Sequence, residues 1–259
     1  MKKHIQKKEH ALILGASGEI GAAVAERMAS SGIKALTLTY GSNLKPVEKL
    51  AKKLKARYGA KVYIARLAFP LQDEDIPLFE ELLDTAVRKN GAEITVAVNT
   101  IGISPNEDYR KQKLGGKDGV RHVYEVNVFS AAVTMRSIAN RMEKKGIKGA
   151  IVQIASTNGV NSQASFSVHY DSSKAALIHY VRTLAEEFAK RGIRANCVSP
   201  GWIDTKLNES VPRKELKREI EKTWLKRLGS VAEVADAVEF VVRNKFYVGQ
   251  NLLLDGGYR

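Results

Sequence analysis

Hydrophobic and polar positions follow two patterns that alternate along the chain. Short apolar runs are typical of buried strands, and longer segments with apolar residues every three or four positions are typical of amphipathic helices. The first pattern predicts seven strands, at residues 11–15, 35–40, 62–67, 94–99, 150–155, 194–199 and 251–254. The second predicts six helices, at residues 20–31, 46–58, 76–90, 120–145, 167–190 and 231–243.

The order of these elements predicts the fold class. Strand and helix alternate without a linker, a low-complexity tract or a repeat of fixed period. This order is typical of a doubly wound α/β fold, in which a parallel sheet has helices on both faces. We therefore expect residues 1–259 to form one Rossmann-like domain, with residues 1–9 as a basic tail. Residues 202–228 interrupt the alternation after a strand, and we expect them to form a charged, partly helical lid over a ligand.

Composition narrows the class of protein. The chain has 259 residues, of which 44% are hydrophobic, enough for a large core. No apolar run reaches the roughly 18 residues of a membrane span, and the first residues lack the apolar stretch of a signal peptide. The single Cys197 cannot form an internal disulfide, and the 5 His residues are scattered without ligand spacing. We expect a cytoplasmic protein without a metal site or a membrane anchor.

The net charge of +14 has two interpretations. It can attract nucleic acid, anionic membranes or acidic proteins, or it can reflect a lysine-rich solvated surface. The basic residues are spread through several segments, and no nucleic-acid-binding motif accompanies them. The sequence therefore favours a solvated surface and no nucleic-acid partner. A basic nucleic-acid binder stays an alternative, which would retain DNA in a salt-sensitive way.

A glycine-rich turn, GASGEIG at residues 15–21, lies between the first predicted strand and the first helix. Glycine lets a pyrophosphate approach the backbone, and the dipole of the following helix favours an anion. The turn predicts a dinucleotide-binding site made by Gly15, Ser17, Gly18, Ile20 and Gly21. The alternative is a tight packing turn without a ligand.

The end of the second predicted strand bears on cofactor choice. An acidic residue at this position would bind the ribose 2′-hydroxyl and repel a 2′-phosphate. The sequence here is TYGSNLK at residues 39–45, which has no carboxylate. Tyr40, Ser42 and Asn43 offer donors instead, which favours NADP(H) over NAD(H). The alternative is that Ser42 or Asn43 only caps the next helix.

Tyr170 and Lys174 lie four residues apart in a predicted helix, and Ser156 follows a strand fourteen residues earlier. An i,i+4 pair shares one helix face, so the ammonium should lie near the phenol. We expect Lys174 to lower the pKa of Tyr170 from about 10 toward neutrality, as a general acid or base requires. A second pair at this spacing, Tyr109 and Lys113, lies in a polar run and is interpreted as a solvated loop.

These motifs, in this order, resemble the short-chain dehydrogenase/reductase family over nearly the whole chain. The resemblance implies that the segment 200–205 contacts the nicotinamide carboxamide. It adds the following positions to the predicted site: Asn99 and Gly102 in the run NTIG, Asn127, Pro200, Gly201, Ile203 and Thr205.

The resemblance also implies a role for each reacting group. Ser156 would hold a carbonyl oxygen while Tyr170 donates a proton to it. Lys174 would also hold the nicotinamide ribose, and Asn127 would bind a water molecule that links Lys174 to solvent. The chain departs from the family pattern at three places: Glu19 replaces the middle glycine of the turn, residues 66–70 lack an acidic residue, and Thr100 and Ile101 replace Asn and Ala.

Within the family the chain looks most similar to 3-oxoacyl-acyl-carrier-protein reductases of fatty acid biosynthesis. The resemblance implies NADP(H)-dependent interconversion of a ketone and a secondary alcohol, and an acidic acyl carrier protein as a partner. Arg191 with Lys144, Lys145 and Lys148 could form its docking area, or these cations could simply complement helix dipoles.

Other interpretations stay open. One is a dehydrogenase of a sugar, polyol, steroid or other small alcohol, and another is a dinucleotide-binding redox sensor without turnover. An enoyl reductase is disfavoured, because that branch of the fold spaces its Tyr and Lys more widely. The resemblance also implies a homodimer or homotetramer that pairs the helices at 120–145 and 167–190.

Overall fold

The computed structural model describes residues 9–105, 110–111, 113–117, 119–161, 166–209 and 211–259. Residues 1–8 of the expected basic tail lie outside these ranges, and so does Tyr109 of the second tyrosine–lysine pair.

Seven parallel strands form one sheet, as the alternation of elements predicts. Their order across the sheet is β3-β2-β1-β4-β5-β6-β7. The bounds are β1 His10–Leu14, β2 Ala35–Tyr40, β3 Lys61–Arg66, β4 Val96–Asn99, β5 Ala150–Ile154, β6 Arg194–Pro200 and β7 Asn251–Leu254. The fold class expected from the sequence is therefore confirmed.

Helices connect the strands and cover both faces of the sheet. Their bounds are α1 Glu19–Ser30, α2 Lys45–Tyr58, α3 Asp75–Asn90, α4 Val120–Tyr124, α5 Ser130–Lys144, α6 Val168–Ala189, α7 Arg213–Lys222 and α8 Val231–Arg243. No helix in the described ranges is long and apolar enough to cross a membrane.

The central strand shows how the two layers arise. Every residue of β1 is buried, and successive side chains point to opposite faces. Ala11 and Ile13 pack with α1, α2 and α8 in one core, whereas Leu12 and Leu14 pack with α3, α5 and α6 in the other. Because both faces are covered, residues 11–14 of β1 form an unbroken apolar run without polar alternation.

The strand order reverses at β1, which lies between β2 and β4. In an open α/β sheet the connections on either side of such a point leave in opposite directions, so a crevice opens at the carboxyl ends of the strands. The glycine turn follows β1 directly, and it therefore lies at this crevice.

The predicted helix at 120–145 is wrong in one respect, because a π-helical segment, Glu125–Phe129, separates α4 from α5. The Ser130 hydroxyl donates to the Glu125 carbonyl five residues earlier, at 2.7 Å, and accepts from the Leu71 amide at 2.8 Å. This contact with a distant loop favours the wider turn. Single π turns of this kind are frequent at functional sites, and this one contains Asn127.

The segment expected to form a lid is partly helical where the structure describes it. A 3-10 turn at Lys206–Asn208 precedes α7, Arg213–Lys222. Ile203 pairs with Gly229 where the segment leaves the sheet, and Thr223 pairs with Tyr258 beyond α7. The two ends of the segment are thus paired with each other, and the stretch after α7 is paired with the C-terminal residues of the domain.

A polar side chain, His10, begins β1 and is completely buried. Its Nδ1 lies 2.9 Å from the Ala92 carbonyl oxygen, and its Nε2 lies 2.9 Å from Thr37 Oγ1 and 3.0 Å from Asn90 Nδ2. Donation by Nδ1–H and acceptance by Nε2 satisfy a neutral ring. Burial lowers the pKa of His10 below its usual 6.5.

We expect acid to destabilise the fold through His10. The folded ring resists protonation, so its stabilising effect is complete above the unfolded pKa of 6.5 and is lost as the pH falls below it. Urea unfolding between pH 8 and pH 5 should therefore show a smaller decline for His10→Gln than for the wild type. Only the slopes are compared, so a lower overall stability of the variant does not matter. Equal slopes would contradict the prediction.

Candidate active site

The glycine turn brings α1 into close contact with the end of β1. A Cβ added to Gly21 would lie 2.3 Å from the Gly15 carbonyl oxygen, and Gly15 itself has φ +85°. Thr100 packs against both glycines, and its hydroxyl donates to the Leu14 carbonyl at 2.8 Å. Thr100, one of the departures from the family pattern, thus joins the end of β4 to the turn.

Gly18 has a different environment from these two glycines. It is exposed at the N-cap of α1, and a Cβ there would have a single neighbour within 4 Å, the Gly15 carbonyl oxygen at 3.5 Å. The outer side of the turn is therefore open beside the first amides of α1, and Ile20 in this first turn lines the crevice. An open backbone at a helix N-terminus suits a pyrophosphate group, so the residues present fit a dinucleotide.

Ser156, Tyr170 and Lys174 converge in the crevice, as their spacing predicts. The Ser156 hydroxyl is hydrogen-bonded to the Tyr170 phenol and accepts from the Asn158 amide at 3.2 Å. The Lys174 ammonium lies 5.4 Å from the centre of the Tyr170 ring and donates to the Ile154 carbonyl at 3.2 Å. A hydroxyl, a phenol and an ammonium thus lie at one end of a common pocket.

The expected lowering of the Tyr170 pKa is not found. Desolvation raises the pKa of Tyr170 to about 12, with a hydrogen bond from Ser156 lowering it and the charge of Asp171 raising it further. Burial also lowers the pKa of Lys174 to about 8. The i,i+4 spacing does bring the two groups together, but the ammonium faces the ring and a carbonyl. Tyr170 is consequently a neutral phenol at pH 7, the form that donates a proton.

Asn127 lies behind Lys174 in the π segment. Its Oδ1 accepts from the Ile103 amide and its Nδ2 donates to the Ile103 carbonyl, both at 2.9 Å, and Nδ2 also donates to Ser173 Oγ at 3.1 Å. Asn127 therefore holds the loop after β4 by its backbone. A Cβ on Gly102 would lie 3.0 Å from Lys174 Nζ and 3.4 Å from Asn127 Oδ1, so glycine leaves room for the ammonium. The water-binding role of Asn127 stays a prediction.

The structure divides the predicted site residues into two groups. Those that line the crevice are Ile20, Gly102, Ser156, Tyr170, Lys174, Pro200, Gly201, Ile203 and Thr205. Those that lie around it are Gly15, Ser17, Gly18, Gly21, Tyr40, Ser42, Asn43, Asn99 and Asn127. Asn99 is buried, and its Oδ1 accepts from the Ile101 amide at 3.0 Å, so it shapes the turn after β4.

Sequence reasoning missed several residues that line the crevice. They are Thr100, Ser104, Ile154, Ala155, Asn158, Phe166, Ser167 and Asn208. Most of them lie in loops or in the lid, where no periodicity indicates which side chains face inward. Asn158 was detectable by its position two residues after Ser156. Its Nδ2 donates to Asp171 Oδ1 at 2.8 Å and to Ser167 Oγ at 3.3 Å, which ties this loop to the start of α6.

Donors gather where β2 and β3 end, at the same edge of the sheet as the glycine turn. Tyr40 pairs in register with Arg66, and Arg66 Nε donates to the Gly41 carbonyl at 3.3 Å. Ser42 and Asn43 follow on the exposed turn before α2. Sequence reasoning noted Arg66 only as part of a segment without an acidic residue. The register of β2 and β3 reveals that its guanidinium lies at the same edge as Ser42 and Asn43.

Comparison with known proteins assigns the chain to a family. A family model described as enoyl-(acyl carrier protein) reductase matches residues 15–259. The 3-oxoacyl-[acyl-carrier-protein] reductase FabG of Buchnera aphidicola subsp. Schizaphis graminum is 29% identical over 254 residues, 97% of each chain. The 3-oxoacyl-[acyl-carrier-protein] reductase of Bos taurus is 30% identical over 246 residues, 95% of each chain. The chain belongs to the short-chain dehydrogenase/reductase family.

A solved structure agrees with this assignment. The protein ElxO, determined with NADP bound, superposes with a TM-score of 0.80 at 28% identity, over 97% of this chain and 98% of that one. As a short-chain dehydrogenase/reductase, the chain is an NAD(P)-dependent oxidoreductase. No group of three or more His, Cys, Asp or Glu side chains that could hold a metal ion occurs among the residues with described positions.

The docking area expected at Arg191 is not supported in this short-chain dehydrogenase/reductase. Arg191 forms ion pairs with Glu143 and Glu187, so its charge is largely neutralised. Tyr170 lies near the start of α6 and Arg191 just beyond its end, so they are roughly 30 Å apart at 1.5 Å per residue. Lys144, at the end of α5, lies toward the same edge, because α5 also runs away from the crevice. A carrier protein docked there would be far from the reacting groups.

The two environments in the glycine turn give a test. Gly21→Ala should cost roughly 1–3 kcal/mol of unfolding free energy, because the new Cβ meets a backbone oxygen that cannot move aside alone. Gly18→Ser is the matched control, since that position is open and serine is a good N-cap. We expect its stability to stay within about 0.5 kcal/mol of the wild type. Urea unfolding measures both, and equal losses would refute the distinction.

Proposed function

We propose that this enzyme uses NADP(H) to reduce a neutral ketone to a secondary alcohol, and that the ketone belongs to a 3-oxoacyl group. The observation that carries the proposal is the meeting of Ser156, Tyr170 and Lys174 in a crevice that adjoins the glycine turn. The first group can orient a carbonyl, the second can protonate it, and the third can stabilise the phenolate that results.

The chemistry divides between the cofactor and the protein. A bound nicotinamide would supply the hydride to the carbonyl carbon, and the carbonyl π electrons would move to the oxygen. Ser156 would hold that oxygen by a hydrogen bond, and Tyr170 would transfer its phenolic proton to it. The Lys174 ammonium, 5.4 Å from the ring, would then favour the phenolate. Because the pKa of Tyr170 is raised to about 12, the proton is present at every physiological pH.

The lining of the crevice supports an apolar substrate chain. Phe166 and three residues of the lid, Trp202, Leu207 and Val211, contribute apolar side chains to the lining. Lys174 is the one charged side chain among the described lining residues. A carboxylate or phosphate substrate would need a further cation. An acyl chain does not need one. Relatives named 3-oxoacyl-[acyl-carrier-protein] reductase support the same substrate class.

The side chains at the carboxyl ends of β2 and β3 support NADP(H). Ser42, Asn43 and the Arg66 guanidinium offer donors there, and no carboxylate stands at the end of β2 to repel a 2′-phosphate. Arg66 has no carboxylate partner among the described residues, so its charge is available. The structural neighbour ElxO was determined with NADP bound.

We further propose an acyl carrier protein as the donor of the substrate and a homodimer or homotetramer as the assembly. The carrier would approach the crevice at the lid, where Arg213, Lys214, Lys217 and Arg218 give α7 a basic character. For the assembly, Ala175 on α6 and Phe129 at the end of the π segment are exposed, whereas Ala131 is buried within its own chain.

Tyr170→Phe should remove the proton donor and leave the cofactor site intact. Because general acid catalysis contributes about 10²–10⁴-fold, we expect kcat for ketone reduction to fall at least about 100-fold. NADPH binding, followed by fluorescence, should change less than threefold. Tyr63→Phe on β3, outside the crevice, is the matched control. Near-normal reduction by Tyr170→Phe would refute the proton-donor role. The proposed function itself would be refuted if the wild type reduced no carbonyl compound with either NADPH or NADH.

Arg66→Ala should change the choice of cofactor. Hydrogen bonds to a charged group contribute about 1.5–3 kcal/mol, so kcat/KM with NADPH should fall about tenfold or more while kcat/KM with NADH stays within twofold. Lys61→Ala, at the opposite end of β3, removes a cation far from the crevice and serves as the control. An equal loss with both cofactors, or no loss with either, would show that Arg66 does not bind the 2′-phosphate.

A further inference from the structure

The lid is hydrogen-bonded across the crevice to the glycine turn. The Lys206 amide, at the start of the lid's 3-10 turn, donates to Glu19 Oε2 at 2.8 Å. Glu19 is the first residue of α1 and directly follows Gly18. The two residues are 187 positions apart in the sequence. The side chain that occupies the middle-glycine position of the family pattern therefore reaches the opposite wall.

The lid turn lacks a cap of its own. Thr205 stands at its N-cap but makes no side-chain cap bond, and its hydroxyl is directed to the Ile203 carbonyl at 3.4 Å. The first amides of a helical turn need an acceptor from outside it. Glu19 supplies one, and a carboxylate is the stronger kind of acceptor because the bond is charge-assisted. Glycine at position 19 could not make this bond.

We infer that Glu19 is a positioning residue that fixes Thr205 and the first turn of the lid at the nicotinamide end of the crevice. The amide it binds belongs to the residue immediately after Thr205, and Thr205 lines the crevice together with Ile203 and Gly201. The inference rests on the proposed function for the identity of the ligand. The hydrogen bond between Glu19 and the lid does not depend on the proposed function.

Glu19 should affect ligand affinity in two opposite ways. Its hydrogen bond to the lid favours binding, whereas its negative charge opposes the binding of a phosphate group. Its charge lies beside the turn that would receive a pyrophosphate, so removing the charge should strengthen binding of any phosphate ligand. Glu19→Gln and Glu19→Ala remove the same charge, but only the glutamine keeps an acceptor oxygen for the Lys206 amide. The ratio of affinities between these two variants therefore reports the hydrogen bond alone.

The experiment measures binding of two ligands to both variants by calorimetry. NADPH would reach Thr205 if it binds as the family resemblance implies, whereas 2′,5′-ADP has only the adenosine half and lacks the nicotinamide that would contact the lid. We expect Glu19→Gln to bind NADPH about fivefold more tightly than Glu19→Ala, as one neutral hydrogen bond allows. The two variants should bind 2′,5′-ADP equally. Equal affinities for NADPH would overturn the inference, and so would the same ratio for both ligands, because the effect would then lie in the glycine turn.

Hydrogen exchange at the Lys206 amide tests the bridge without any ligand. Exchange should be about fivefold faster in Glu19→Ala than in Glu19→Gln, while amides of α6 stay unchanged. Glu209→Ala is the control, because this lid carboxylate is exposed and forms no bond with another described residue. Unchanged exchange would overturn the bridge and leave the proposed function standing. If the two variants differ in exchange as expected but the wild type binds neither NADPH nor 2′,5′-ADP, the bridge stands and the proposed function is refuted.

Discussion

The close approach of α1 to the end of β1 is the constraint on which the site depends. Gly21 allows it, because any side chain there would overlap the Gly15 carbonyl. This contact fixes the direction of α1 and, with it, the places of three consecutive residues. Gly18 leaves the turn open, Glu19 reaches the lid, and Ile20 lines the crevice. The open glycine turn and the contact between Glu19 and Lys206 are thus both consequences of one backbone contact.

Burial away from water determines the electrostatics of Tyr170 and Lys174. Desolvation opposes charge on both Tyr170 and Lys174, raising the pKa of the first and lowering the pKa of the second. The ammonium donates to the Ile154 carbonyl and lies over the face of the phenol ring. Such an ammonium interacts strongly with any negative charge formed nearby, since little water screens it. The site is therefore better suited to stabilise a phenolate formed during the reaction than to hold one beforehand.

Much of the fold could be predicted from the sequence, because a parallel sheet covered on both faces leaves a strong periodic signal. All seven strands lie within two residues of their expected bounds. The π segment at Glu125–Phe129 could not be predicted, because it depends on a bond between Ser130 and the amide of Leu71. Local periodicity contains no information about such a partner.

The sequence predicted those features of the site that depend on local spacing and missed those that depend on contacts between distant segments. The i,i+4 spacing of Tyr170 and Lys174 predicted that they lie close together. Spacing does not reveal burial, so the expected lowering of the Tyr170 pKa was wrong. Arg66 became visible only through the register of β3 with β2, and the partner of Glu19 only through the path of the lid. Contacts between segments distant in sequence decide each of these features.

The position of β1 in the sheet also bears on how the protein reaches its native state. Leu12 pairs with Thr37 on one side and with Ala97 on the other, and β4 must in turn pair with β5 beyond residue 150. Closing such long loops costs chain entropy before the ladders repay it, so folding of this topology is slow. The crevice forms only when distant parts of the chain have come together. A partly folded chain, lacking β4 beside β1, would therefore offer a dinucleotide no complete binding site.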